Sequence, residues 1–309
     1  MRIIYMGTPD FAVPALEALS TAGYDIAMVV SNPDRPRDRG KCVQCCPVKS
    51  FAQSRGLAVR TPDTVRNNEP FFSEIRSLKP DVIVVAAYGK ILPKELLEIP
   101  RLGCINIHAS LLPLYRGAAP IHRAVIDGCL ETGVTLMYME EQMDAGDIIA
   151  TSTTEIGEKT TEDLFDELAH LGAALLIREL PAILNGTAAR IPQDHRMATY
   201  APMVTKQEAR IDFARDAGQI GALVRGMYAW PCAWTCYRDE SMKVLATAPG
   251  PEKSDAEPGT ILRADEEGIL VACGGGSIAL TRIQMPGRRA MDAGTYLLGN
   301  KIELGAVLR

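Results

Sequence analysis

The run Asp81-Val82-Ile83-Val84-Val85-Ala86-Ala87 limits the possible folds more than any other stretch of the chain. Six apolar residues stand in succession after the aspartate, most of them β-branched. Such a run fits a strand covered on both faces, and strands of that kind belong to parallel sheets flanked by helices. Its surroundings agree. Arg2 to Gly7 is another short apolar run, followed by a helical pattern through Val13, Leu16 and Leu19 that ends near Gly23. Ile26 to Val30, Leu57 to Arg60, Cys104 to Ala109 and Gly133 to Met139 read as further strands. Between them lie a polar, arginine-rich loop, a helix around Pro47 to Ser54 and another from about Ala119 to Cys129. A long helix from Thr161 to Leu184 opens on a Thr-Thr-Glu-Asp cap signal and stops at Asn185-Gly186. Alternating strands and helices predict an α/β, Rossmann-like domain with a mainly parallel sheet over residues 1–187.

The pattern then changes. Residues 188–210 carry Pro192 and Pro202 without a sustained period and read as a linker. Residues 211–309 begin with a helix (Ala214 to Met227) and continue as short strands. These fit Ala233 to Tyr237, Lys243 to Ala246, Thr260 to Arg263, Gly268 to Cys273 and Ser277 to Gln284. Short strands separated by Gly and Pro turns predict a small β-barrel domain of the OB type.

Composition narrows the class of protein. With 309 residues, 47% hydrophobic and 23% charged, the chain suits two ordinary globular domains. No apolar run is long enough to span a bilayer, and the N-terminus has no long signal-like apolar region, so a cytoplasmic protein is expected. The eight cysteines then read as free thiols. Cys42, Cys45 and Cys46 lack a second pair or a nearby histidine to complete a zinc site, and no metal is expected. The net charge is −5, yet residues 31–66 hold eight Arg and Lys against three Asp, a local excess of +5. Such a run is ordinarily a solvated face. It also suits contact with phosphates.

The densest chemistry lies in Gly103 to Pro120. On a strand, residues two apart share a face, so Asn106 and His108 project together while Ile105, Ile107 and Ala109 face the other way. Both polar residues sit near the strand's carboxyl end, where open α/β sheets bind ligands. An amide and an imidazole together suit acyl transfer. They can donate to a tetrahedral oxyanion, and the imidazole can carry a proton near neutral pH. A supporting carboxylate is offered by Asp144, in the acidic loop Met139 to Asp147, with Gly146 permitting a tight turn. A buried polar pair and a solvated acidic loop are the plainer reading of these residues taken one at a time.

Taken together they resemble a known signature. The string Asn106-Ile107-His108-Ala109-Ser110-Leu111-Leu112-Pro113, then Tyr115-Arg116-Gly117 and Pro120, then Asp144-Ala145-Gly146-Asp147, is similar to that of the folate-dependent formyltransferases. The resemblance implies Asn106, His108 and Asp144 as a catalytic trio and Ser110, Leu111, Leu112 and Pro113 as the lining of a folate site. Flanking segments select a branch. Met6 to Pro14, the loop Asn32 to Lys41 leading to Pro47-Val48-Lys49, Thr199 to Pro202, and Pro286 to Arg289 with Gly299 resemble the branch acting on methionyl-tRNA. In that branch the loop engages the acceptor end of the tRNA, which implies Arg35, Arg37, Arg39 and Lys41 as contacts. The stretch Cys42 to Cys46 departs from the branch, which usually has Lys, apolar and small residues there.

The implied reaction takes a formyl group from 10-formyltetrahydrofolate to the amine of initiator methionyl-tRNA, releasing tetrahydrofolate, with no metal and as a monomer. Asn106 and protonated His108 would hold the oxyanion, with Asp144 stabilising the imidazolium. A formyltransferase acting on a small amine or sugar nucleotide, or a formyl-folate hydrolase, would need neither the basic loop nor a C-terminal barrel. A non-catalytic RNA-binding protein would be expected to have lost part of the trio. A nucleotide-dependent dehydrogenase would need two further glycines after Gly7.

Overall fold

The computed structural model describes residues 1–37, 42–250 and 254–309. Strands in the first two thirds of the chain are β1 (Arg2–Gly7), β2 (Asp25–Val30), β3 (Arg35–Arg37), β4 (Cys42–Gln44), β5 (Val59–Arg60), β6 (Val82–Ala86), β7 (Cys104–His108), β8 (Arg116–Gly117), β9 (Glu131–Tyr138) and β10 (Ile148–Glu155). The helices there are α1 (Val13–Thr21), α2 (Pro47–Ser54), α3 (Glu69–Leu78), α4 (Lys94–Leu97), α5 (Pro120–Ile126) and α6 (Thr161–Leu184). The described residues form two compact units. One comprises 1–117, 132–154 and 165–201; the other 118–131, 155–164 and 202–309.

The first unit holds a seven-stranded sheet in the order β10-β9-β7-β6-β1-β2-β5. From β5 through β7 the neighbours are parallel, as the buried apolar runs require, and β9 then pairs antiparallel with β7. Both faces are covered. Ile4, Met6, Ile83, Val85 and Cys104 pack with Phe71, Phe72 and Ile75 of α3 and with Leu96 of α4. On the other face α6 approaches so closely that a Cβ at Gly172 would lie 2.6 Å from Ile107 Cγ2. Alternation along β7 therefore assigns Cys104, Asn106 and His108 to the α3 face, and Ile105 and Ile107 to the α6 face.

The expected arginine-rich loop contributes two short strands. β3 pairs antiparallel with β4 through Arg35–Gln44, Pro36–Val43 and Arg37–Cys42. Arg39 and Lys41 lie outside the described residues. The units also differ from a division made along the chain. Residues 188–201, expected as a linker, belong to the first unit, and the segments 118–131 and 155–164 belong to the second. Composition marks where the chain changes character, whereas a compact unit is set by what packs together.

The first unit ends with β11 (Tyr200–Ala201), and the second adds α7 (Ala217–Gly226), β12 (Ala233–Tyr237), β13 (Glu240–Pro249), β14 (Ile261–Asp265), β15 (Gly268–Cys273), β16 (Gly276–Gln284), β17 (Met291–Asp292) and α8 (Ala293–Leu297). Its antiparallel sheet runs β12-β13-β16-β15-β14, with β17 also on β16. Its core joins Ile220, Leu223 and Val224 of α7 to Val244, Ile269, Val271, Ile278 and Leu280 of the sheet. Helix α5 packs against α7, and this explains why residues 118–131 belong here. Among the described residues no helix is long and apolar enough to cross a membrane.

Ile83 sits at 0% exposure in the middle of β6. Ile83→Ala should destabilise the first unit by about 2–5 kcal/mol, the cost of a large-to-small change in a close-packed core. A urea titration followed by circular dichroism should show the midpoint falling accordingly.

Candidate functional site

Asn106 and His108 end β7 at the carboxyl edge of the parallel strands, where an α/β sheet opens a crevice. His108 is buried, at 6% exposure, and Asn106 is half-buried. His108 Nε2 lies 3.0 Å from the Tyr115 carbonyl. A carbonyl only accepts, so this nitrogen carries the proton. The other ring nitrogen, Nδ1, faces Asp144 Oδ1 at 3.7 Å. That is ion-pair distance rather than a direct hydrogen bond. The side chain of Asn106 makes no hydrogen bond within the chain among the described residues, so its amide N–H groups are available to a ligand beside the imidazole.

Asp144 reaches this position from a left-handed backbone, with φ 51°. A residue other than glycine pays about 1–2 kcal/mol for that conformation, although aspartate tolerates it better than most. Contacts hold it there. Asp144 Oδ2 accepts from the Gly117 N–H at 2.8 Å. Gln193 Nε2 donates to the Asp144 carbonyl at 2.9 Å and to the Gly146 carbonyl at 2.7 Å. Gly146 itself is sterically required, since a Cβ would lie 2.1 Å from the Tyr138 carbonyl. Gly117 has φ 118°, which a side chain would strain, and so the N–H that meets the carboxylate also depends on a glycine.

The segment Ser110 to Pro113 follows β7 directly and is pinned to β9. The Thr135 hydroxyl donates to the Ser110 carbonyl at 2.7 Å and accepts from the Leu112 N–H at 3.0 Å. Ser110 is fully buried and its hydroxyl donates to the Leu114 carbonyl at 2.7 Å. Leu112 is buried as well, which leaves Leu111 and Pro113 as the half-exposed members of the segment.

The structure brings Asn106, His108 and Asp144 to one place, together with Gly117 and the Tyr115 carbonyl. Of the basic cluster, three described side chains stand in ion pairs. Lys49 is paired with Asp34 at 2.5 Å, Arg55 with Glu17 at 3.4 Å and Arg60 with Glu74 at 2.7 Å. Arg35 and Arg37 lie on the β3 strand. Gln193, Arg116 and Thr135 went unread as parts of the site. Their partners stand far away in sequence, and no spacing pattern reveals a contact of that kind. The Tyr115-Arg116-Gly117 string was the one available signal. Among the described residues no group of three or more His, Cys, Asp or Glu could hold a metal ion.

Comparison with known proteins adds to this geometry. The family described as formyl transferase matches residues 1–180, and the formyl transferase C-terminal domain matches residues 203–301. Over its whole length the chain is 46% identical to the methionyl-tRNA formyltransferase of Acetivibrio thermocellus, covering 99% of that protein. It is also 46% identical to that of Clostridioides difficile, with 100% of both chains covered. Among solved structures, an N-formyltransferase from Helicobacter canadensis, in complex with folinic acid and dTDP-3-aminofucose, superposes with a TM-score of 0.69 at 19% identity. The match covers 92% of this chain and 98% of that one. At that identity the likeness is one of fold.

Thr135→Val removes the hydroxyl that bridges Ser110 and Leu112 while keeping the side chain's shape. The Leu112 N–H then stays buried without its partner, at a cost of about 1–3 kcal/mol. Thermal melting of the variant should show a lowered midpoint with the fold retained by circular dichroism.

Proposed function

The chain belongs to the formyl transferase family, and on that footing we propose that it transfers the formyl group of 10-formyltetrahydrofolate to the free amine of initiator methionyl-tRNA. The observation that carries this reading is the meeting of Asn106, His108 and Asp144 at the carboxyl edge of the sheet, with His108 Nδ1 3.7 Å from the Asp144 carboxylate. Support for the acceptor comes from full-length relatives named for methionyl-tRNA. A protein with this role works where translation starts, in the cytoplasm.

The chemistry divides among the residues as follows. The methionyl amine attacks the formyl carbon, and the carbonyl π electrons move onto oxygen. The Asn106 amide and the His108 N–H donate to that oxygen, which is where preorganised donors lower a barrier most. The His108 Nε2–H is shared between the Tyr115 carbonyl and that oxygen, so the ring stays opposite Asp144. Asp144 offsets the positive charge of the imidazolium. Collapse of the tetrahedral species re-forms the carbonyl and breaks the bond to N10 of the folate. The amine loses a proton and N10 gains one, giving tetrahydrofolate and the formylated aminoacyl-tRNA. Leu111 and Pro113 present the accessible surface of the folate-lining segment. Arg35, Arg37, Arg39 and Lys41 meet phosphates of the acceptor end.

Incubation with 10-formyltetrahydrofolate and charged initiator tRNA should yield formylated aminoacyl product, and uncharged or non-initiator tRNA should not. His108→Ala and Asn106→Ala should each lower turnover by about 10²-fold or more, the scale for a lost oxyanion donor, with folate binding largely kept. Wild-type turnover in either variant would remove that residue from the mechanism. For the tRNA, each phosphate contact should add about −0.9 to the slope of log affinity against log salt on duplex, and less on the partly single-stranded acceptor end. Arg39→Ala combined with Lys41→Ala should flatten that slope and leave folate affinity unchanged. Identical titration curves would take the acceptor role away from the loop.

A further inference from the structure

Arg116 is among the largest side chains to be fully buried, at 1% exposure. Among the described residues it has no carboxylate partner. Its guanidinium instead donates to the side-chain oxygen of Gln193 through Nε at 3.2 Å and Nη2 at 2.6 Å, and Nη2 also meets His195 Nδ1 at 3.1 Å. A buried cation without a carboxylate partner is costly to keep, and this one gives Nε and Nη2 to one amide oxygen, with Nη2 also meeting an imidazole nitrogen. Because a guanidinium has no acceptor, Gln193 must turn Oε1 toward it. The amide N–H groups are thereby forced to face the other way, onto the Asp144 and Gly146 carbonyls at 2.9 and 2.7 Å. All four hydrogen-bonding positions of the Gln193 side chain are used, so it has one orientation.

The path also closes on itself. Tyr115 and Gly117, on either side of Arg116, hold the two partners of the candidate site, His108 through a carbonyl and Asp144 through an N–H. The arginine side chain runs from the same three residues to Gln193, which donates to the turn that bears Asp144. The backbone of residues 115–117 fixes the imidazole and the carboxylate directly, and its central side chain fixes, through Gln193, the left-handed turn that delivers the carboxylate.

We propose that Gln193, oriented by the buried Arg116 guanidinium, is a positioning residue that holds the Asp144 turn and so sets the carboxylate opposite His108. The proposal rests on the reading of His108 and Asp144 as catalytic. A displacement of about 1 Å at a reacting group is enough to cost a large factor in rate.

The test is a double-mutant cycle in single-turnover reactions with enzyme in excess, using 10-formyltetrahydrofolate and charged initiator tRNA. Gln193→Ala and Gln193→Glu are each made alone and together with Asp144→Asn. The glutamate variant keeps a partner for Arg116 but cannot donate to the two carbonyls, so it carries the test if the alanine variant fails to fold. Each single Gln193 variant should lower the rate by about tenfold or more, with tetrahydrofolate affinity unchanged. On the Asp144→Asn background the same change should cost less than about twofold, because its effect passes through the carboxylate. A wild-type rate in folded Gln193 variants, or an equal loss on both backgrounds, overturns the proposal. A wild-type rate in Asp144→Asn alone would instead overturn the reading of the site itself.

Discussion

The hydrogen bond from the Gly117 N–H to Asp144 Oδ2, 2.8 Å long, is the contact on which the rest of the candidate site depends. It joins the segment after β7 to the turn after β9, which the sheet alone brings near each other without fixing. A charge-assisted bond to a backbone N–H is short, directional and roughly twice as strong as a neutral one. It occupies one carboxylate oxygen and leaves the other turned to His108. The imidazole is held from its far side by the Tyr115 carbonyl, two residues from Gly117. One short piece of backbone thus sets both members of the pair.

The sheet changes direction at β9. Parallel strands with buried faces place their carboxyl ends, and hence Asn106 and His108, along one edge. β9 instead runs antiparallel to β7, with Ile105 opposite Tyr138 and His108 opposite Thr135. Thr135 therefore lies level with the end of β7, where its hydroxyl can tie down Ser110 and Leu112. The turn beyond Tyr138 comes back past the strand's start, and Gln193 and Gly117 are what bring its aspartate to the histidine.

The α/β class, the buried strand 82–86 and the shared face of Asn106 and His108 were legible because period and hydrophobicity are local quantities. Asp144 was on offer in the acidic loop but was singled out by resemblance, since such a loop does not say which carboxylate turns inward. Helix α3 was missed although Phe71, Phe72 and Ile75 stand at helical spacing behind the cap Asn68, whose side chain accepts from the Phe71 N–H. That signal was present and local. Strand β10 was harder, because its polar, β-branched sequence alternates toward solvent along the sheet edge. Arg116 and Gln193 lay beyond reach for another reason. Each would ordinarily be placed at the surface, and only the long-range pairing of one with the other makes burial affordable.

Residues 188–201 show the same principle at larger scale. By composition they form a linker, with a proline and no sustained period, and by contact they belong to the first unit. Ile191 bridges to Ile148, Gln193 clamps the Asp144 turn, and the Thr199 hydroxyl accepts from the Tyr115 N–H at 2.8 Å. Tyr200 and Ala201 then pair in parallel with Arg116 and Gly117. The segment thereby touches, in succession, the edge strand, the aspartate turn and the backbone that holds the histidine. A stretch with so little regular structure is held by contacts of this kind, and most of those named here are made to the candidate site. Its irregularity follows from that duty: a helix or strand repeats its direction every few residues, whereas this chain must meet three unrelated backbones at three different angles.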